Sequence, residues 1–290
     1  MKKIFYPFIL ILSISSGCAQ KSDHVVTIKT NFGEMVAILY DETPKHKQNF
    51  LKLAREHYYD SLLFHRVMEG FMIQGGDPQS KNSPKGARLG NGGPNYTIEA
   101  EINPKLFHEK GALSAARLGD QVNPTKASSG SQFYIVQGTK YSEADLKKMS
   151  TDPQKFSMAL QQFFQKAENK AYTDTLQTFY RNGDRAGYEA YLMKIKPEVE
   201  KQVGIKVDRE FSPEMIQAYT TAGGAPHLDG GYTVFGKVIK GFEVIDKIAS
   251  QPRDEANRPV DDVWMVITVE ELPLKKIEKL YNYKYPEVKK

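Results

Sequence analysis

The hydrophobic spacing of this chain changes period twice, and that alternation limits the folds open to it. From His24 to Tyr40, HVVTIKTNFGEMVAILY places β-branched and aliphatic residues on either side of an Asn31–Gly33 turn, as two paired strands do. TPKHKQNFLKLAREHYY then reads as a helix, with Thr43 at the N-cap, Pro44 at the first helical position, and Phe50, Leu51 and Ala54 on the apolar face. Strand-like runs resume in FHRVMEGFMIQGGD, in GALSAAR (Gly111–Arg117) and in SQFYIVQ (Ser131–Gln137). Near Gly138 the period lengthens. Phe156, Leu160, Phe163, Ala167 and Ala171 recur three or four residues apart, as do Tyr188, Leu192, Ile195, Val199 and Val203. Asp152–Pro153 and Ser212–Pro213 mark helix starts. Strand signals return in YTVFGKVI from Tyr232 and VWMVITVEEL from Val263. The pattern predicts a mainly β domain over 25–138 and 223–272, interrupted by a helical insert over 139–222 and followed by a C-terminal tail over 273–290.

The N-terminal residues have a different character. Lys2 and Lys3 precede an apolar stretch, Ile4–Ile14, too short to span a bilayer comfortably. Ser15, Ser16 and Gly17 then lead to Cys18, the one cysteine of the chain. This resembles a bacterial lipoprotein signal over 1–17, which implies lipidation of Cys18, a short tether over 18–24, and a lipid-anchored protein of the cell envelope facing the periplasm. With a single cysteine no internal disulfide is available, so stability has to come from the core. The net charge is +5 with acids and bases interspersed and no dense basic stripe, which argues against a nucleic-acid partner.

Chemistry concentrates around Arg66. In FHRVMEGFMIQGGD an arginine stands among phenylalanines, methionines, a valine and an isoleucine, and a buried guanidinium is costly unless something pairs it. Either Arg66 points to water or it borders an apolar pocket with a task. The neighbouring glycines are turn glycines, since no following lysine or strand-to-helix setting makes a phosphate cradle. Ser131 lacks the flanking pattern of a nucleophile elbow. His24, His46, His57, His108 and His227 show no metal-ligand spacing, so neither a metal nor a cofactor is expected.

Three blocks, FHRVMEGFMIQGGD, then GALSAAR with SSGSQFYIV, then PHLDGGYTVFGKVIKGFEVID, resemble the cyclophilin-type peptidyl-prolyl cis-trans isomerases in the family's order. The resemblance implies a closed eight-stranded antiparallel barrel with a capping helix over each end. By position it makes Arg66 the catalytic residue. It lines a proline pocket with Phe71, Met72, Tyr134 and Leu228, and gives Gln74 and Gln132 to the substrate backbone. His65, Ala116, Arg117, His227 and Tyr232 fall in or beside the groove. Three departures from the family stand out: Tyr134 at a usual phenylalanine, His227 at a frequent tryptophan, and Tyr232 at a frequent histidine. The implied partners are unfolded or proline-containing polypeptides, bound by a monomer that assists the folding of exported or envelope proteins. A proline-peptide-binding scaffold or chaperone module, meeting clients through the helical insert, is the alternative.

Overall fold

The computed structural model describes residues 21–285. The first hairpin joins β1 (Ser22–Thr30) to β2 (Gly33–Leu39) across Asn31 and Phe32, where the Thr30 hydroxyl accepts from Phe32 N (3.1 Å) and donates to Gly33 O (2.9 Å). Helix α1 (Pro44–Arg55) buries Phe50, Leu51, Leu53 and Ala54. Thr43 holds the N-cap position without capping, because its hydroxyl faces the Tyr40 carbonyl instead. The Glu101 carboxylate takes over, accepting from Lys45 N and His46 N at 3.0 Å each.

The chain continues through β3 (Leu62–Leu63), β4 (Arg66–Met68), β5 (Met72–Gly75), β6 (Thr97–Ile98), β7 (Ala112–Ala115), β8 (Ser128–Ser129) and β9 (Phe133–Val136). Five helices follow: α2 (Glu143–Lys148), α3 (Pro153–Phe164), α4 (Lys170–Arg181), α5 (Arg185–Val203) and α6 (Pro213–Thr221). Then come β10 (Val234–Lys240), α7 (Phe242–Ala249), β11 (Trp264–Pro273) and α8 (Leu274–Tyr281). Strands β6 and β8 pair with each other, and the other nine form one antiparallel sheet in the order β3-β11-β1-β2-β10-β7-β9-β5-β4.

The mainly β fold with helices is as expected, but strand count and closure are corrected: the sheet has nine strands and is open. The cause lies at Phe64–His65, where the strand breaks. Its first half, β3, pairs only with β11, and its second half, β4, pairs only with β5. The two sheet edges are therefore held together by two residues of chain rather than by ladder hydrogen bonds. Inside the curl, Phe133 packs against Phe50 (5.4 Å between ring centroids), Tyr59 (5.7 Å) and Phe64 (6.2 Å). Helices α1 and α7 add Phe50, Leu51, Val244, Ile245 and Ile248 to the same core.

Between β9 and β10 the helices form two tiers. Helices α3 and α5 share a core of Phe156, Phe163, Ile195 and Val199 that excludes the sheet. The spacing from Phe156 to Ala171 is broken within this tier, because the buried Asn169 amide donates to the Phe163 carbonyl (2.8 Å) and separates α3 from α4. Leu146 of α2 and Met215 and Tyr219 of α6 pack on Phe107, which belongs to the loop before β7. Asp152 caps α3 and Ser212 caps α6, as their sequence positions suggest. At the base, Thr139 and Gly224 exchange both backbone hydrogen bonds (3.2 and 3.0 Å). A Cβ on Gly138 would lie 2.3 Å from Gly224 Cα, and Gly138 has φ +66°, so glycine is required there. The segment expected as a tail begins with α8, whose Ile277 is buried beside Val25, Val36 and Leu272.

Candidate active site

Period-two alternation sorts the strands of this region into two faces. Val67, Ile73, Leu113, Phe133 and Ile135 point into the main core. Met72, Ala112, Tyr134, Val136 and Val234 point the other way and form a second apolar cluster with Phe71, Ala116, Leu228 and Tyr232. Arg66 and Gln74 are register partners on β4 and β5, so both stand on this outer face. A cavity of about 930 Å³ opens above it.

Arg66 answers the question its neighbours pose. Its guanidinium is half-buried, and burial lowers its pKa from the ordinary value. One terminal nitrogen donates to Gln74 Oε1 (3.1 Å) and the other to the Met68 thioether (3.0 Å). Among the described residues no carboxylate pairs with it, whereas Arg117 pairs with Asp120 and Arg258 with Asp262. Guanidinium has five N–H donors, and a thioether is a weak acceptor, so donor capacity is left over at the cavity.

The cavity brings together His65, Arg66, Phe71, Met72, Gln74, Ala116, Arg117, Tyr134, Leu228 and Tyr232. Arg117 is fixed at the rim: it stacks over the Tyr232 ring (4.4 Å) and donates to Gly231 O (2.7 Å). Two expected residues lie outside the lining. His227 sits behind Phe71, with ring centroids 5.2 Å apart. Gln132, given by the resemblance to the substrate backbone, anchors a loop: its Nε2 donates to Gly90 O (2.9 Å) and Gly92 O (2.7 Å) while its Oε1 accepts from Gln74. Cys18 lies outside the described residues.

The opposite wall comes from two loops that sequence reasoning did not connect: Gly86–Asn91, and Asp254–Ala256 with Arg258. The buried Asp77 carboxylate accepts from the backbone N–H groups of Gly90 and Gly92, and Arg258 donates to Pro84 O (2.9 Å). The one visible signal was the glycine run itself. A Cβ on Gly92 would fall 2.1 Å from Asp77 Oδ1, so this glycine permits the close approach.

The family model described as cyclophilin type peptidyl-prolyl cis-trans isomerase/CLD matches residues 25–151 and 206–270. The chain belongs to that family. Its enzyme class is accordingly that of a cyclophilin-type peptidyl-prolyl cis-trans isomerase. A putative peptidyl-prolyl cis-trans isomerase of Staphylococcus haemolyticus is 30% identical over 245 residues, covering 84% of this chain and 89% of the relative. A putative bifunctional phosphatase/peptidyl-prolyl cis-trans isomerase of Streptococcus pyogenes is 31% identical over 250 residues, but this chain spans only 38% of its length. A crystal structure of a cyclophilin type isomerase from Cryptosporidium parvum aligns with TM-score 0.48 at 22% identity, covering 86% of this chain and 98% of that one. The gap between the two matched segments, 152–205, contains α3, α4 and α5, while α2 and α6 fall inside the match.

His65, beside Arg66 in the cyclophilin-family motif, is 4% exposed and neither ring nitrogen makes a well-formed hydrogen bond. Burial pushes its pKa down to about 4. The unfolded chain takes up this proton near the ordinary histidine value of about 6.5, whereas the folded chain resists until about 4. Stability is therefore full above the unfolded value and is lost as pH falls through this window. We predict that the urea midpoint declines from pH 6.5 toward 4 and that His65→Gln flattens the decline. His46 and His227 are also depressed by burial and leave a residual slope. An unaltered slope in His65→Gln would assign the acid sensitivity elsewhere.

Proposed function

We propose that this chain isomerises X-Pro bonds in exported or envelope polypeptides, with Arg66 as the catalytic residue and Phe71, Met72, Tyr134 and Leu228 as the seat of the proline ring. The observation that carries the proposal is the Arg66 guanidinium, held by neutral partners and paired with no described carboxylate beside an apolar floor. The barrier to rotation is about 18–20 kcal/mol because the C–N bond has partial double-bond character. Uncatalysed, an X-Pro bond needs tens to hundreds of seconds. No covalent bond is made or broken, so the chain has to do two things: grip one side of the bond while the other turns, and stabilise the twisted amide. The apolar floor supplies the grip. Arg66 supplies a donor to the prolyl nitrogen once that nitrogen leaves amide conjugation and becomes an acceptor. A protease-coupled assay with a proline tetrapeptide tests the reading on the full-length chain. A rate no greater than that without enzyme would dismiss it.

The role in export rests on the N-terminal residues, where Lys2, Lys3, the apolar stretch and Cys18 support a lipid-anchored protein of the cell envelope. Metabolic labelling with a radioactive fatty acid is expected to mark the protein and to fail in Cys18→Ala, which should leave the membrane fraction. Unlabelled wild-type protein in the soluble fraction would place it elsewhere.

A further inference from the structure

Behind the proline pocket lies a buried line of polar groups that begins in the helical segment. The Tyr219 hydroxyl of α6 donates to Asp229 Oδ2 (2.6 Å). Asp229 Oδ1 accepts from His108 Nδ1 (2.8 Å) and from the His108 backbone N–H (2.9 Å). His108 Nε2 lies 3.0 Å from the Tyr134 hydroxyl. Tyr219 and His108 are both wholly buried, and Tyr134 is 5% exposed.

The direction of these bonds follows from the acceptor at the centre. An ionised carboxylate only accepts, so Asp229 takes the hydrogen bond of the His108 Nδ1–H. With one ring proton, held on Nδ1, His108 leaves Nε2 to accept from the Tyr134 hydroxyl, which is turned away from the cavity. The Tyr134 ring is thereby held by its far end while its face meets Tyr232 edge-on (6.0 Å, 83°). We propose that Tyr219 is a positioning residue for the pocket: through Asp229 and His108 it holds the Tyr134 ring in the wall against which the substrate proline packs, so that the docking of α6 sets the affinity for proline. This rests on reading the cavity as the prolyl site. The chemistry of twisting stays with Arg66, so the linkage acts on binding.

Tyr219→Phe keeps the ring that packs edge-on against Phe107 (5.6 Å) and Phe211 (6.1 Å) and removes only the hydroxyl. In the full-length chain it is expected to raise KM for a proline tetrapeptide roughly three- to tenfold, the scale of one hydrogen bond, with kcat changed less than twofold. Tyr134→Phe is expected to shift KM in the same direction. The double variant should be no worse than the poorer single one, because both cut one line, whereas independent structural damage multiplies. Nitrogen-15 NMR of wild-type His108 supplies a readout that needs no variant: Nδ1 protonated and Nε2 bare. A protonated Nε2, a KM unchanged in Tyr219→Phe, or multiplying effects would each overturn the linkage. Arg66→Ala in the same assay separates the two levels. If it keeps full turnover, the prolyl-site reading falls and the linkage with it; if it loses turnover while Tyr219→Phe is unaffected, the linkage alone falls.

Discussion

Arg66→Ala is expected to lower kcat/KM for a proline tetrapeptide by on the order of 10²–10³, the loss seen when one preorganised transition-state donor is removed. In the planar amide the prolyl nitrogen shares its electron pair with the carbonyl and offers a donor little. That pair becomes available only as the bond twists, so a guanidinium aimed at it distinguishes the transition state from the ground state. Hence the loss should fall on kcat, with KM moving far less. Arg66→Lys should recover little, because the ammonium lacks the planar fork that lets one face hold Gln74 Oε1 while another reaches the substrate. Steady-state kinetics over a range of peptide concentrations decide this. Near-normal turnover in Arg66→Ala would defeat the mechanism.

Phe133→Ala should be strongly damaging to the fold. Its ring is 1% exposed and meets Phe50, Tyr59 and Phe64 edge-on. Truncating such a ring costs about 3–5 kcal/mol. At roughly 2–4 °C per kcal/mol for a chain of this size, the melting temperature should drop by on the order of 10 °C. Tyr134→Phe, one residue along, removes a hydroxyl bonded to His108 and should cost only about 1 kcal/mol. Differential scanning calorimetry of the two variants makes the comparison. Equal losses would contradict the assignment of the two β9 faces to core and pocket.

Much of the candidate site was legible through the family resemblance, because the residues alone left Arg66 either facing water or bordering a pocket. Arg66 among apolar residues, with Gln74 8 residues along the chain, is a local pattern, and the structure sets both side chains together on one face. The far wall was not legible. Arg258 reaches carbonyls more than 170 residues earlier, at Pro84 and Ala87, and nothing in the composition of either loop announces that they meet. The partners of Gln132 were hidden for a related reason: the loop carbonyls of Gly90 and Gly92 that its amide meets lie 42 and 40 residues away in sequence. The break at Phe64–His65 was hidden too, since an apolar run gives no sign that its halves pair with opposite edges. For the helices, Asp152 and Ser212 disclosed starts through capping, but periodicity could not say which helices pack on the sheet and which on one another.

The bridge between Thr139 and Gly224 bears on the order in which the chain assembles. Strands β9 and β10, which flank β7 in the sheet, are separated by nearly a hundred residues of sequence, so joining them first would mean closing a long flexible loop. The outer tier carries a second bridge of its own, from Thr151 to Asp208, and a core that owes nothing to the sheet. Should that tier collapse early, the effective loop shrinks from roughly 85 residues to about 25, and closure becomes easier by about 1 kcal/mol, or several-fold in rate. Pulsed hydrogen exchange during refolding is then expected to protect the amides of α3 and α5 before those of β9 and β10, and the reverse order would exclude this route. On that account the helices carried outside the family's shared segments act as a folding aid in cis, shortening the search their own host must make.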